Sequence, residues 1–163
     1  NPDKIKPLIA KAIADNSFQE IRKFCKRYFY NSVEENGKGI KRIVLYDGNK
    51  KYVGKINVVK RLNSEYEVEG FYIVVKKYRG IGLGYYLLRS MIALIQQNDA
   101  EAKTLFVKPN SGEIQPFLLY KTYHRQGFVF DDELEQRFME IEKKTSEDHG
   151  IFDDRSIRME IKL

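Results

Sequence analysis

The stretch Arg79-Gly80-Ile81-Gly82-Leu83-Gly84 decides the fold, because it joins an apolar strand to an amphipathic helix. The spacing of apolar residues predicts the strand over 65–75 and the helix over 85–96. Glycines in such a turn let backbone amides approach an anion without side-chain obstruction, and the helix N-terminus adds roughly half a positive charge. The sequence therefore predicts a phosphate-binding turn.

Spacing excludes two common nucleotide-binding loops. A dinucleotide fingerprint G-x-G-x-x-G counted from Gly80 or from Gly82 needs its third glycine where Tyr85 or Leu87 stands. A nucleoside-triphosphate loop needs Gly-Lys followed by Ser or Thr, and no lysine follows these glycines. The phosphate ligand is therefore of another kind.

The pattern R-x-x-G-x-G from Arg79 to Gly84 resembles the coenzyme A pyrophosphate loop of the GNAT superfamily of N-acetyltransferases. A second stretch, Leu119-Tyr120-Lys121-Thr122-Tyr123-His124-Arg125-Gln126-Gly127-Phe128, is similar to that family's late helix. The resemblance covers residues 41–130. It implies an α/β (α+β) fold with a mixed, largely antiparallel sheet flanked by helices. It also implies transfer of an acetyl group from acetyl-CoA, as co-substrate, to a primary amine in a ternary complex without a metal.

The resemblance implies that backbone groups do most of the cofactor binding. Amides near Val74 and Val75 would pair with the pantetheine arm, and those of the glycines would hold the phosphates, with Lys77 and Arg79 adding positive charge. The implied cofactor-binding residues are Ile73, Val74, Val75, Lys77, Arg79, Gly80, Ile81, Gly82, Leu83, Gly84, Tyr85 and Tyr120.

The reaction needs a base, because an amine with a pKa near ~10.4 is mostly protonated at neutral pH. Glu67 and Glu69 lie on the strand before the glycine turn, and alternation places them on one face; a water relay is the alternative. The resemblance implies that Tyr123 protonates or hydrogen-bonds the departing sulfur, unless the register slips to Tyr120. Proton transfer from a phenol with a pKa of ~10 to a thiolate with a pKa of ~8.5 is uphill by roughly 2 kcal/mol. A hydrogen bond from Tyr123 is therefore favoured over full proton transfer.

The rest of the chain predicts one domain over residues 1–163. Helices are expected over 5–13 and 18–28, the second with a capping box of Ser17 and Glu20. The segment 36–39 is expected to end this helical region, followed by a hairpin of strands 42–46 and 52–59 across Asp47-Gly48-Asn49. A strand over 105–108, a helix over 114–126 and a closing strand over 157–163 complete the prediction. The first strand that is usual in the GNAT family is not evident.

Charge gives the only indication about the acceptor. Residues 1–130 carry 23 lysines and arginines against 12 acidic residues, whereas residues 131–163 carry 6 against 11. The acid-rich segment 131–155, between the last two strands, suggests a cationic acceptor; the alternative is a solvated amphipathic helix with Leu134, Phe138 and Ile141 inward.

Two other function classes remain open. A chain with a pI of about 9.2 and many aromatic residues is compatible with a basic nucleic-acid-binding module, although no basic stripe with interleaved aromatics stands out. An acyl-CoA-binding regulatory domain without turnover is the other alternative. We expect a cytoplasmic monomer or homodimer with no membrane association, with Cys25 in the core and with His124 and His149 on the surface without acidic partners.

Overall fold

The computed structural model describes residues 18–36, 39–80, 82–144 and 147–163. The helices are α1 (Phe18–Tyr28), α2 (Leu83–Asn98), α3 (Pro116–Arg125) and α4 (Asp132–Glu142). The strands are β1 (Tyr30–Glu35), β2 (Ile40–Tyr46), β3 (Tyr52–Lys60), β4 (Glu65–Ile73), β5 (Thr104–Val107) and β6 (Met159–Lys162). The helix predicted over 5–13 and the Ser17 cap lie outside the described residues. No helix in the described ranges has the length and apolar character needed to cross a membrane.

The strands form one six-stranded sheet in the order β1-β2-β3-β4-β5-β6. Every neighbouring pair is antiparallel except β4 and β5, which are parallel because α2 crosses between them. The predicted mixed, largely antiparallel sheet flanked by helices is therefore confirmed.

The sheet separates between β4 and β5. These strands pair over three residues only, from Glu65 with Thr104 to Glu67 with Phe106. Two residues later β4 carries a bulge, where the register with β3 shifts and Glu69 is the extra residue. Beyond Glu67, β4 is therefore paired with β3 alone, and its other edge faces an opening that we call the β4–β5 gap.

Strand β1 was not predicted, and the expectation that the helical region runs to 36–39 is wrong. The strand lies at the sheet edge and is almost wholly exposed, so it lacks the apolar alternation by which a strand is recognised in sequence. Asn36 closes the turn into β2 by accepting a hydrogen bond from the Ile40 amide at 3.1 Å. The next hairpin is as predicted: the Asp47 carboxylate accepts the amides of Asn49 and Lys51.

One hydrophobic core joins the helices to the sheet. It contains Cys25 of α1, Tyr86 and Met91 of α2, and Ile56 of β3. Cys25 is fully buried, which confirms the predicted core position, and this burial raises the pKa of its thiol to about 12. An aromatic cluster extends this core beneath α3 and α4; its members are Phe117, Tyr120, Phe130, Phe138 and Phe152.

Candidate active site

The glycine turn lies at the N-terminus of α2, the positive end of the helix dipole. Gly80 and Gly82 have φ values of 71° and 95°, which strain any residue with a side chain; Ile81 lies outside the described residues. Gly82 is the N-cap of α2, and its carbonyl accepts the Tyr86 amide at 3.0 Å. The amides of Leu83, Gly84 and Tyr85 precede the first intrahelical bond, and the first turn has neither a side-chain cap nor an acidic residue. The arrangement suits an anion.

Gly84 brings this turn close to the edge of β4. A β-carbon at Gly84 would lie 3.2 Å from the Gln126 side-chain nitrogen and 3.6 Å from the Phe71 ring. At Gly80, by contrast, a β-carbon would meet nothing within 4 Å. Gly80 is therefore required for its backbone conformation, whereas a side chain at Gly84 would press on the Gln126 side chain at the end of α3.

Arg79 connects the turn to the end of β4. Its Nε donates to the Ile73 carbonyl at 2.8 Å, and its Nη2 donates to the Val74 carbonyl at 3.1 Å. The guanidinium thus holds two backbone oxygens and also leaves its charge near the turn. Lys77 belongs to the 3₁₀ turn Lys76–Tyr78, with its ammonium 5.0 Å from the centre of the Tyr78 ring.

The hydrogen bonds of β4 show which amides face the gap. The Val74 amide donates to the Val53 carbonyl of β3 at 2.8 Å, so it is engaged within the sheet and is not free for a ligand. Because successive amides of a strand point to opposite edges, those of Ile73 and Val75 point toward the β4–β5 gap. Of the two amides expected to pair with pantetheine, that of Val74 is therefore already bonded to β3.

Tyr123 lies beside the gap on α3. Its ring contacts Phe71 of β4 and Phe128 edge to face, with ring centroids 6.1 and 5.5 Å apart. Burial raises the pKa of Tyr123 to about 12. Within the described parts of the chain no hydrogen bond to its hydroxyl is found. The phenol is therefore protonated at neutral pH with its donor available.

Tyr120, one turn earlier on α3, has no such freedom. It is fully buried, its hydroxyl donates to the Asp154 carbonyl, and the same oxygen accepts the Ile157 amide at 3.1 Å. Its ring packs against Phe130 and Phe152 in the aromatic cluster. Tyr120 therefore fixes the segment after residue 153 against α3, and its hydroxyl is not free to donate to a coenzyme.

Glu67 and Glu69 both bind one guanidinium, that of Arg61 in the β3–β4 hairpin. Arg61 Nη2 lies 2.9 Å from Glu67 Oε1 and 2.8 Å from Glu69 Oε1. The two carboxylates therefore share a face of the sheet, as the sequence predicts. The opposite face of the sheet carries Val68, which precedes the bulge and belongs to the core. Arg61 itself was not predicted, because ion pairs across a bulge leave no sequence pattern.

His124 and His149 were expected on the surface; both are partly buried, and each contacts an acidic residue that the sequence does not indicate. His124 of α3 binds the Glu135 carboxylate of α4 through Nε2, and its ring lies against Phe138. His149 stacks on Phe117 at 3.9 Å between ring centroids and contacts Asp153 through Nδ1 at 3.2 Å. Both histidines hold the α3–α4 region together.

Buried polar atoms without partners lie next to the glycine turn. Arg89 of α2 donates to the Gln126 carbonyl at 3.1 Å, but its Nε and the Gln126 side-chain oxygen have no partner among the described residues. Because buried polar groups are normally paired, a site that takes up a polar ligand here fits this arrangement. Neither residue was predicted. Nowhere in the described ranges do three or more His, Cys, Asp or Glu residues come together as metal ligands.

Comparisons with known proteins agree with this geometry. Residues 10–143 match the family described as "Acetyltransferase (GNAT) domain". Among solved structures, a GNAT-family acetyltransferase from Staphylococcus aureus Mu50 is 14% identical with a TM-score of 0.52. The match covers 99% of this chain and 92% of the Staphylococcus chain. Tetrahymena GCN5 is 12% identical with a TM-score of 0.50. That match covers 99% of this chain and 85% of the GCN5 chain.

At these identities the structural matches show the fold alone. No curated protein sequence matches significantly. The sequence match extends over most of the chain, from residue 10 through the end of α4. The chain therefore belongs to the GNAT family of N-acetyltransferases.

Proposed function

We propose that this protein transfers an acetyl group from acetyl-CoA to a primary amine by direct attack in a ternary complex. One observation carries the proposal: the unpaired edge of β4 runs directly into the open N-terminus of α2, and Arg79 ties the two together. A strand edge with free amides followed by an anion site matches a ligand with an amide-containing arm and a pyrophosphate.

The residues that would hold acetyl-CoA follow from this path. The amides of Ile73 and Val75 would bind the pantetheine arm and the acetyl carbonyl. The amides of Leu83, Gly84 and Tyr85 would bind the pyrophosphate, in a turn shaped by Gly80 and Gly82. These interactions use backbone atoms, so they depend on the local conformation rather than on the side chains.

We assign Tyr123 as a hydrogen-bond donor to the departing sulfur. With its pKa raised to about 12 by burial, full proton transfer to a thiolate at ~8.5 would be uphill by roughly 5 kcal/mol. A hydrogen bond to the developing thiolate has no such cost and stabilises the negative charge where it forms. The high pKa also keeps the donor proton in place at every physiological pH.

The base is a carboxylate of the Glu67–Glu69 pair, acting directly or through water. The pair lies on the sheet face opposite to that of Phe71, which contacts Tyr123. Amine and thiol would then lie on opposite sides of the β4–β5 gap. This separation suits direct transfer, because the nucleophile attacks from one side while the thiol is stabilised from the other.

We propose a cationic amine as the acceptor. Four carboxylates of the α4 segment are exposed, those of Asp132, Glu133, Glu140 and Glu142. Leu134, Phe138 and Ile141 face the core, as the amphipathic-helix alternative predicts, so the acidic face is turned to solvent. Such a surface attracts cations at long range without fixing their identity.

The testing experiment combines binding and turnover. Thermal melts with acetyl-CoA, coenzyme A, ATP and NAD compare ligands, because binding at 100-fold over Kd stabilises by about 2.7 kcal/mol, which raises Tm by several degrees at this size. We expect shifts with the coenzyme A compounds alone, and thiol release accelerated by spermidine or lysine-rich peptides. Binding without accelerated release would indicate a regulatory domain. A preference for neutral amines would contradict the cationic acceptor.

A further inference from the structure

Arg61 binds the two carboxylates unequally. It approaches Glu67 with two nitrogens, Nε at 3.1 Å and Nη2 at 2.9 Å, and approaches Glu69 with Nη2 alone at 2.8 Å. The Glu67 side chain is 19% exposed and that of Glu69 is 48% exposed. The hydrogen bond to Glu67 is also the main reason that the pKa of Arg61 is raised. Glu67 is thus the anchor of the guanidinium.

The backbone separates the two glutamates in the same way. Glu67 is the last residue of β4 that pairs with β5, opposite Phe106. Glu69 is the extra residue of the bulge, two positions further on, where β4 has left β5. Bulges turn a side chain away from the direction that regular pairing would give it, and they are frequent next to active sites. Of the two glutamates, Glu69 is therefore the one on the part of β4 that borders the β4–β5 gap.

We propose that Glu69 is the base and that Arg61, anchored by Glu67, is the positioning residue that holds it at the gap. This assignment rests on the proposed function. One Glu69 oxygen is bonded to Arg61, and the carboxylate's second oxygen remains to take the proton from the ammonium group of the acceptor, after which the neutral amine attacks. Glu67 acts on the reaction only through Arg61.

The test measures kcat for thiol release from acetyl-CoA with spermidine, tryptamine and a lysine-containing peptide as probes. Glu69→Gln should lower kcat by about 100-fold, the range for a lost general base. Arg61→Ala should lower kcat by about 10-fold without changing the KM for acetyl-CoA, and added methylguanidine should restore part of it. Arg61→Lys should be intermediate, because an ammonium cannot provide the same planar fork.

A double-mutant cycle isolates the role of Glu67. Glu67→Gln should lower kcat as much as Arg61→Ala does, and the double variant should be no slower than Arg61→Ala alone. Arg42→Ala is the matched control, because Arg42 is similarly exposed and also bridges two side chains, Glu34 and Asn57. Its kcat should equal that of the wild type.

The outcomes separate two failures. Additive losses in the cycle, unchanged kcat in Arg61→Ala, or equal effects of Arg61→Ala and Arg42→Ala would overturn the positioning role while the enzyme remains an acetyltransferase. If the wild-type protein binds acetyl-CoA but none of the probe amines accelerates thiol release, the proposed function is overturned, and this assignment with it.

Discussion

The ring of Phe71 on β4 lies edge-on to the ring of Tyr123 on α3, with 6.1 Å between the centroids. Phe71 belongs to the part of β4 that is unpaired with β5, and Tyr123 is partly buried against the same core. Because each ring restricts the other, the Tyr123 hydroxyl has a defined position relative to the β4 edge.

Replacing Tyr123 by Phe should lower kcat by about 10- to 100-fold, the expected loss of one hydrogen bond to a charged group. The affinity for acetyl-CoA and the free energy of unfolding should change little, since the hydroxyl has no partner in the described parts of the chain. Steady-state kinetics with isothermal titration calorimetry would check this. Turnover equal to the wild type at saturating acceptor would rule out the assigned role.

Tyr120→Phe is the matched control on the same helix. It removes a hydroxyl that bonds the Asp154 carbonyl and the Ile157 amide, so it should cost about 1–3 kcal/mol of unfolding free energy. The folded variant should retain its kcat. Urea denaturation should therefore show a loss of stability for Tyr120→Phe alone, and kinetics should show a loss of kcat for Tyr123→Phe alone.

Replacing Arg79 by Lys should weaken acetyl-CoA binding although it keeps the charge. The guanidinium donates to the carbonyls of Ile73 and Val74 together, and an ammonium cannot reproduce this planar arrangement. We expect Arg79→Lys to raise Kd nearly as much as Arg79→Ala, about 3- to 10-fold for about 1 kcal/mol. If Arg79→Lys bound acetyl-CoA with the same Kd as the wild type, the contribution of Arg79 to binding would come from its charge alone.

The stability of the protein should fall as pH rises from 9 to 10, and Cys25→Ala should reduce the fall. The unfolded thiol ionises near pH 9, whereas burial raises the folded pKa to about 12. The unfolded state therefore binds fewer protons in this window, and the thiol's stabilising contribution, complete below pH 9, is lost as pH rises. Its share is about 1 kcal/mol between pH 9 and 10. Urea denaturation at both pH values would measure it; parallel losses in both proteins would contradict it.

Phe138→Ala should destabilise the protein by about 3–5 kcal/mol. Phe138 is fully buried, and its ring contacts Phe117, Phe130 and Phe152 at centroid distances of 5.1 to 5.4 Å. Met139→Ala on the exposed side of the same helix is the control and should cost less than about 1 kcal/mol. Similar urea midpoints for the two variants would show that α4 is not packed as described.

Sequence patterns predicted the elements whose periodicity reflects burial. The strands from Ile40 to Ile73 and the helices α2 and α3 were found within a few residues of their ends, because one face of each is apolar. Strand β1 was missed because both of its faces are exposed, so no alternation marks it. A sequence reports burial more directly than it reports backbone pairing.

The features of the candidate site also differ in how far the sequence predicts them. The glycine turn and the shared face of Glu67 and Glu69 were predicted, because both depend on local spacing. The contacts of Arg61 and Arg79 were not, since a long side chain reaches many neighbours and the chain path decides among them. The pairing of His124 with Glu135 likewise needed the relative placement of two helices.

The three residue pairs between β4 and β5 make this junction the narrowest connection in the sheet. Strands β1–β4 form one antiparallel unit and β5–β6 another, and the two units are joined in the sheet through Glu65 to Glu67. Arg158 spans this junction: it binds Glu65 of one unit and Glu160 of the other, and its guanidinium lies over the Phe106 ring. The point at which β4 and β5 part, and with it the start of the β4–β5 gap, is therefore fixed by three backbone pairs and by the ion pairs of Arg158.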